Sequence, residues 1–147
     1  MHNLIDVIME NQDYIMQVVM DETGKPIQEA MSMEIYSAID SLAFYAKRAP
    51  KWLKDESRSM HGPMQFLKKT KVAFKPRGVL GVITPWNGPF ILSINPAIQA
   101  VLAGNSVIIK PSEVTPKSGM LVEEMFKKAD APDNLVQVCL LYTSPSP

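Results

Sequence analysis

Apolar residues at Leu4, Ile5, Ile8, Ile15, Val18 and Val19 recur at a helical period. The same period returns between Ile27 and Ala46 through Met31, Ile35, Ala38, Ile39, Leu42 and Tyr45. Between the two runs, Thr23-Gly24-Lys25-Pro26 stops one helix, and Pro26 is placed to open the next. Residues 1–48 therefore read as a hairpin of two amphipathic helices with purely structural faces. Met16, Met20, Met31 and Met33 are expected to fill gaps in its core.

The pattern then changes. Ala49 to Pro63 is polar and turn-rich and reads as a connector, with His61 a solvated loop residue. Lys71 to Phe74 alternates as a half-exposed strand does, and Pro76-Arg77-Gly78 is a turn. Val79 to Thr84 is a continuous apolar run of strand length, which predicts a strand covered on both faces. Pro85-Trp86-Asn87-Gly88-Pro89 forms a rigid loop, and Ile91 to Ala103 a helix with Gly104-Asn105 as its left-handed stop. Ser106 to Ile109 is a second β-branched strand, ended by Lys110-Pro111. Thr115 and Pro116 look like an N-cap and first helical position of a helix running to about Lys128. Leu135 to Val138 begins a third strand. Strand, helix, strand, helix, strand at this spacing predicts a parallel sheet, so the fold class is α/β.

Composition narrows the function. The 147 residues suffice for one ordinary domain or a piece of a larger one. Lysine plus arginine (15) balance aspartate plus glutamate (15), which argues against a nucleic-acid partner. One cysteine and two histidines exclude a disulfide framework and a four-ligand metal site built from them. Met1 to Met20 lacks the basic segment of a signal peptide, and the expected location is the cytoplasm. Gly78 to Ile109 carries no charge, but Pro85, Pro89 and Pro96 and four polar amides interrupt it, so no membrane span is expected.

Ligands of an open parallel sheet sit beyond the carboxyl ends of its strands. Two segments fall there, Thr84 to Pro89 and Lys110 to Glu113. The first has no G-x-G-x-x-G, and its two prolines have no N–H to offer, so it is a poor phosphate cradle. It holds one indole, Trp86, and one amide, Asn87. Asn87 either stabilises negative charge developing on a carbonyl oxygen or caps the following turn. Lys110 and Glu113 either hold a nucleotide ribose or form an ordinary surface ion pair. The residues alone thus reach a nucleotide-binding α/β module, with or without catalysis.

PRGVLGVITPWNGPF followed by INPAIQAVLAGNSVIIKPSEVTP resembles the core of the NAD(P)-dependent aldehyde dehydrogenase superfamily. ETGKP at Glu22 to Pro26 and APDNLVQV at Ala131 to Val138 are similar to the same family. The resemblance implies an N-terminal helical hairpin followed by part of a Rossmann-like parallel sheet, with residues 1–138 a partial NAD-binding domain. Within it, 64–77 would be part of an oligomerisation arm and 78–138 the strand–helix–strand–helix–strand unit. It implies that Thr84, Pro85, Trp86 and Asn87 line the nicotinamide side of the cofactor, and that Lys110, Ser112 and Glu113 surround the adenosine ribose. Asn87 matches the family's oxyanion donor. Glu113 would repel a 2′-phosphate, which favours NAD over NADP. The implied substrate is an aldehyde, oxidised to a carboxylic acid, and a full-length parent would be a homo-oligomer. Gly88 stands where the family usually carries an aromatic residue, leaving the size of substrate open.

The family's nucleophilic cysteine, general-base glutamate and glycine-rich turn have no counterpart before Val138, so the chain alone is expected to be inactive. Cys139 fits no family motif and has no charged partner to activate it. Cys139 to Pro147 resembles a translated transposon-end sequencing adapter, so 139–147 is expected to be a non-native tail, and Met1 to be internal to a longer protein. The alternative is a short non-catalytic α/β protein that binds a nucleotide or a partner.

Overall fold

The computed structural model describes residues 2–140; Met1 and residues 141–147, most of the expected tail, lie outside the described residues. Helices α1 (His2–Glu10) and α2 (Gln12–Thr23) are separated by Asn11, whose side-chain amide donates to the Val7 carbonyl at 2.7 Å. An asparagine that bonds backbone locally competes with the helical ladder, so the predicted single helix breaks at this point. Gly24 (φ 71°) ends α2 in the left-handed conformation. Pro26 opens a helix α3 as its N-cap. Helix α3 comprises α-helical Ile27–Glu29, π-helical Ala30–Tyr36 and α-helical Ser37–Trp52.

The π turn resets which side chains face inward. Ala30, Glu34, Ile35, Ala38 and Leu42 are buried, whereas Met31 and Met33 are exposed. Of the four methionines expected in the core, Met16 is buried and Met20 packs against it. A wider turn shifts the helical phase, and a 3.6-residue projection misassigns the residues inside it. Helix α3 also extends to Trp52, into the predicted connector, with Pro50 in its last turn.

The rest of that connector supplies strand β1 (Glu56–Arg58), antiparallel to β2 (Thr70–Val72). This ribbon is exposed at every residue, so β2 is not the half-buried strand its alternation suggested. His61 is exposed between them.

Strands β3 (Val79–Ile83), β4 (Ser106–Lys110) and β5 (Val136–Val138) form a parallel sheet in the order β3-β4-β5. Helices α4 (Ile91–Leu102) and α5 (Pro116–Lys128) connect them. Leu80, Val82, Val107, Ile109, Val136 and Val138 turn one face of the sheet into a single core shared with α4, α5 and the hairpin. The other face is open among the described residues: Val79 is 62% and Ile83 80% exposed, and Ile108 is exposed too. The expectation that β3 is covered on both faces is therefore corrected, because every helix that packs on the sheet does so from one side. The ladder continues past β5, where the Cys139 N–H donates to the Ile109 carbonyl at 2.8 Å.

Helix α4 ends in a Schellman arrangement, Gly104 N–H to Val101 O and Asn105 N–H to Ala100 O, with Gly104 at φ 83°. Asn105 completes that stop through its N–H and its side-chain amide, both of which donate to the Ala100 carbonyl, while Gly104 alone is left-handed. Asn105 is buried, and its Oδ1 accepts the N–H groups of Arg77 and Gly78, tying the start of β3 to the start of β4.

Candidate functional site at the carboxyl edge of the sheet

Register brings the two predicted segments together. Ile83 pairs with Lys110, and the Thr84 N–H donates to the Lys110 carbonyl at 3.1 Å. The loops leaving β3 and β4 therefore start side by side at the edge where a parallel sheet receives ligands.

The first loop is fixed from within. Thr84 is buried and its hydroxyl lies 2.9 Å from that of Ser93, which donates to the Pro89 carbonyl at 2.6 Å. Serine has one proton, so the donor in the first contact is Thr84. This relay ties both ends of the loop to the first turn of α4. On the far side Glu34, fully buried, accepts the N–H groups of Phe90 (3.2 Å) and Ile91 (2.9 Å) through Oε2, while its Oε1 pairs with Lys25.

Against this frame Pro85, Trp86 and Asn87 are exposed, Trp86 by 57%. Among the described residues the Asn87 side chain makes no hydrogen bond, and the amides that open α4 are met by Glu34 and not by a side chain of the loop. Of the two readings of Asn87, the turn cap is not the one seen. Gly88 is buried, and a Cβ there would lie 3.1 Å from the Leu92 side chain. Leu92 thus takes part of the space beside the glycine.

The second loop is held differently. Ser112 Oγ accepts the Val114 N–H at 3.2 Å, and the Thr115 N–H donates to the Ser112 carbonyl. Pro111 packs so closely on Gly119 of α5 that a Cβ on the glycine would lie 2.3 Å from the proline. Lys110 Nζ sits 3.7 Å from Glu113 Oε2, with the Glu113 side chain 70% exposed. That is a weak, solvent-screened pair, free to exchange its partner for a sugar hydroxyl.

Thr115 stands at the N-cap position of α5, but its hydroxyl caps nothing and is buried without a partner. Glu22, from the end of α2, takes its place. Glu22 Oε1 accepts the Lys117 N–H at 2.8 Å, and Oε2 accepts the Ser118 N–H at 2.7 Å and its hydroxyl at 2.6 Å. The first amides of both crossover helices are thus filled by carboxylates of the chain itself. Neither helix N-terminus is free to take a phosphate, whereas half-buried Lys110, exposed Glu113 and the exposed Trp86–Asn87 edge leave polar groups and an aromatic ring open at the surface.

The sequence matches the Aldehyde dehydrogenase family over residues 1–144. The chain belongs to the aldehyde dehydrogenase family. It is 43% identical over 131 residues to a 4,4′-diapolycopene aldehyde oxidase of Methylomonas sp, covering 88% of this chain and 24% of that protein. It is 37% identical over 138 residues to a putative NADP(+) succinate-semialdehyde dehydrogenase of Mycolicibacterium smegmatis, covering 94% of this chain and 26% of the other. An aldehyde dehydrogenase of Mycobacterium tuberculosis solved with NAD+ superposes with a TM-score of 0.84 at 26% identity, over 93% of this chain and 27% of that one. The chain spans about a quarter of the length of the curated relatives it matches. The family match also runs six residues past Val138, where the motif resemblance ends.

Three groups passed over in the sequence hold the two loops and the helices that follow them: Ser93, Glu22 and Glu34. Glu34 had a legible signal, an acid on the apolar face at the four-residue spacing of Ala30, Ala38 and Leu42. Glu22 lay inside ETGKP without a role, and Ser93 was one small polar residue in an apolar helix.

No described helix is long and apolar enough to cross a membrane.

Proposed function

We propose that these residues form part of an NAD(P)-dependent enzyme that oxidises an aldehyde to a carboxylic acid. The observation that carries this reading is Asn87: an exposed amide with no internal partner, on a loop locked at both ends. A donor held in place before the reaction loses nothing to reorientation when charge develops opposite it. In this reading the Asn87 side-chain N–H donates to the aldehyde oxygen as it becomes anionic, and Thr84, Pro85 and Trp86 wall the nicotinamide side. Lys110, Ser112 and Glu113 hold the adenosine ribose. The carboxylate of Glu113 repels a 2′-phosphate, so NAD is preferred to NADP. The cofactor, when bound, accepts the hydride.

The nucleophile and the general base come from sequence outside these 147 residues, and the chain by itself turns nothing over. Residues 1–138 are part of the NAD-binding domain, and 64–77, which carries the exposed strand β2, is part of an oligomerisation arm. Leu92, packed beside Gly88, narrows the substrate side of the loop in place of an aromatic ring.

The test is Asn87→Ala in the whole protein. Turnover is expected to fall by about a hundredfold or more, as when one oxyanion donor is lost, with NAD binding retained. Unchanged turnover would remove Asn87 from the chemistry. NAD binding without oxidation of any aldehyde would instead mark a non-catalytic nucleotide-binding protein.

A further inference from the structure

We propose that the helical hairpin is the positioning device of the site: Glu34 sets the Asn87 loop, and Glu22 sets the Lys110–Glu113 turn. The inference rests on the functional reading above but concerns residues that reading does not use. Glu34 is 0% exposed, and both its oxygens are committed, one to Lys25 and one to the two amides that open α4. A buried ion pair is weak evidence of stabilisation, because apolar residues of similar volume are often as stable or more so. What a buried carboxylate adds is direction. It fixes the first turn of α4, and with it the loop ending at Pro89, relative to the hairpin. The π segment of α3 supports this, because it is the local irregularity that carries Glu34 on the buried face. π turns are disproportionately associated with functional positions.

Glu22 repeats the arrangement one strand further on. Its three hydrogen bonds hold the start of α5 directly after the Lys110–Glu113 turn, displacing the local cap Thr115. Glu22 stands just before the turn between α2 and α3, and Glu34, inside the π segment of α3, is tied to that turn through Lys25. One rigid corner thus grips the first amides of both crossover helices and sets the separation of the two loops. Each carboxylate is assigned to a different half of the reaction, so their loss has different kinetic signatures.

The experiment compares Glu34→Gln and Glu22→Gln in the whole protein, by steady-state kinetics, NAD titration and amide hydrogen exchange without cofactor. Glu34→Gln is expected to lower kcat about tenfold to a hundredfold, the scale of a misplaced catalytic group. Its KM for NAD should stay within about twofold. Glu22→Gln is expected to weaken NAD binding about fivefold to tenfold, the scale of a lost cap, with kcat at saturating NAD within about twofold. Exchange should accelerate at Phe90 and Ile91 in the first variant and at Lys117 and Ser118 in the second. If both variants shift kcat and NAD affinity alike, or exchange rises throughout the chain, the carboxylates merely stabilise the fold and the proposal is overturned. If the unsubstituted protein neither binds NAD nor oxidises an aldehyde, the functional reading fails, and the exchange pattern alone decides the positioning role. Should Glu34→Gln not fold, Glu34→Asp reads the same limb, keeping the charge opposite Lys25 while retracting it from the amides.

Discussion

The loop from Thr84 to Pro89 and the turn from Lys110 to Glu113 leave neighbouring strands, yet they are held by different means. The first is fastened by buried polar groups, the Thr84–Ser93–Pro89 relay on one side and Glu34 on the other. The second is fastened by shape: Pro111 lies on the bare Cα of Gly119, while its charged pair, Lys110 and Glu113, stays near water. Directional bonds fix an orientation, whereas close packing fixes a position and leaves the surface side chains free to change partners.

The largest stability effect is expected where shape does the holding. Gly119→Ala puts a methyl 2.3 Å from Pro111, so either the turn or α5 must move. Overpacking of this kind costs about 2 kcal/mol, measurable by chemical denaturation, and NAD affinity should fall with it. A neutral substitution would mean that the turn is not seated on the helix. Ser93→Ala probes the polar fastening. It strips the buried Thr84 hydroxyl of its acceptor and should cost about 1–2 kcal/mol, with Asn87-dependent turnover reduced and NAD affinity kept. If NAD affinity falls instead, the two loops do not divide as described.

The smallest effect is the most discriminating. If Thr115 capped α5, Thr115→Val would cost about 1 kcal/mol. With Glu22 doing the capping, removal of an orphaned hydroxyl should leave stability unchanged or raise it slightly.

Most of the sheet was legible in the sequence because its signals are local. β3 is an uncharged run rich in valine and isoleucine, β4 carries Val107-Ile108-Ile109 at its centre, and Gly104 and Pro116 punctuate the helices within a residue or so of where they end or begin. The edge of the site was legible for the same reason, since parallel strands place their following loops together. What escaped depends on distant partners. A helical projection of residues 1–48 puts Glu34 on the apolar face, but the π turn and the hydrogen bonds that Glu34 and Glu22 make have no trace in it. Coverage of β3 escaped because an apolar run does not say which elements shield it, and among the described residues only the Leu80 and Val82 face is shielded. β1 escaped because Glu56, Ser57 and Arg58 are all exposed, and an exposed ribbon needs no apolar alternation.

The reach of the two hairpin carboxylates also bears on the order of folding. Ile91 lies 57 residues after Glu34, and Ser118 lies 96 after Glu22. Contacts at such separation carry a loop-closure cost, which slows a search made from both ends at once. During synthesis both hairpin carboxylates leave the ribosome before either crossover helix. A hairpin that holds its turn at that stage would offer each helix an acceptor at its first turn, a template for the sheet in place of a mutual search.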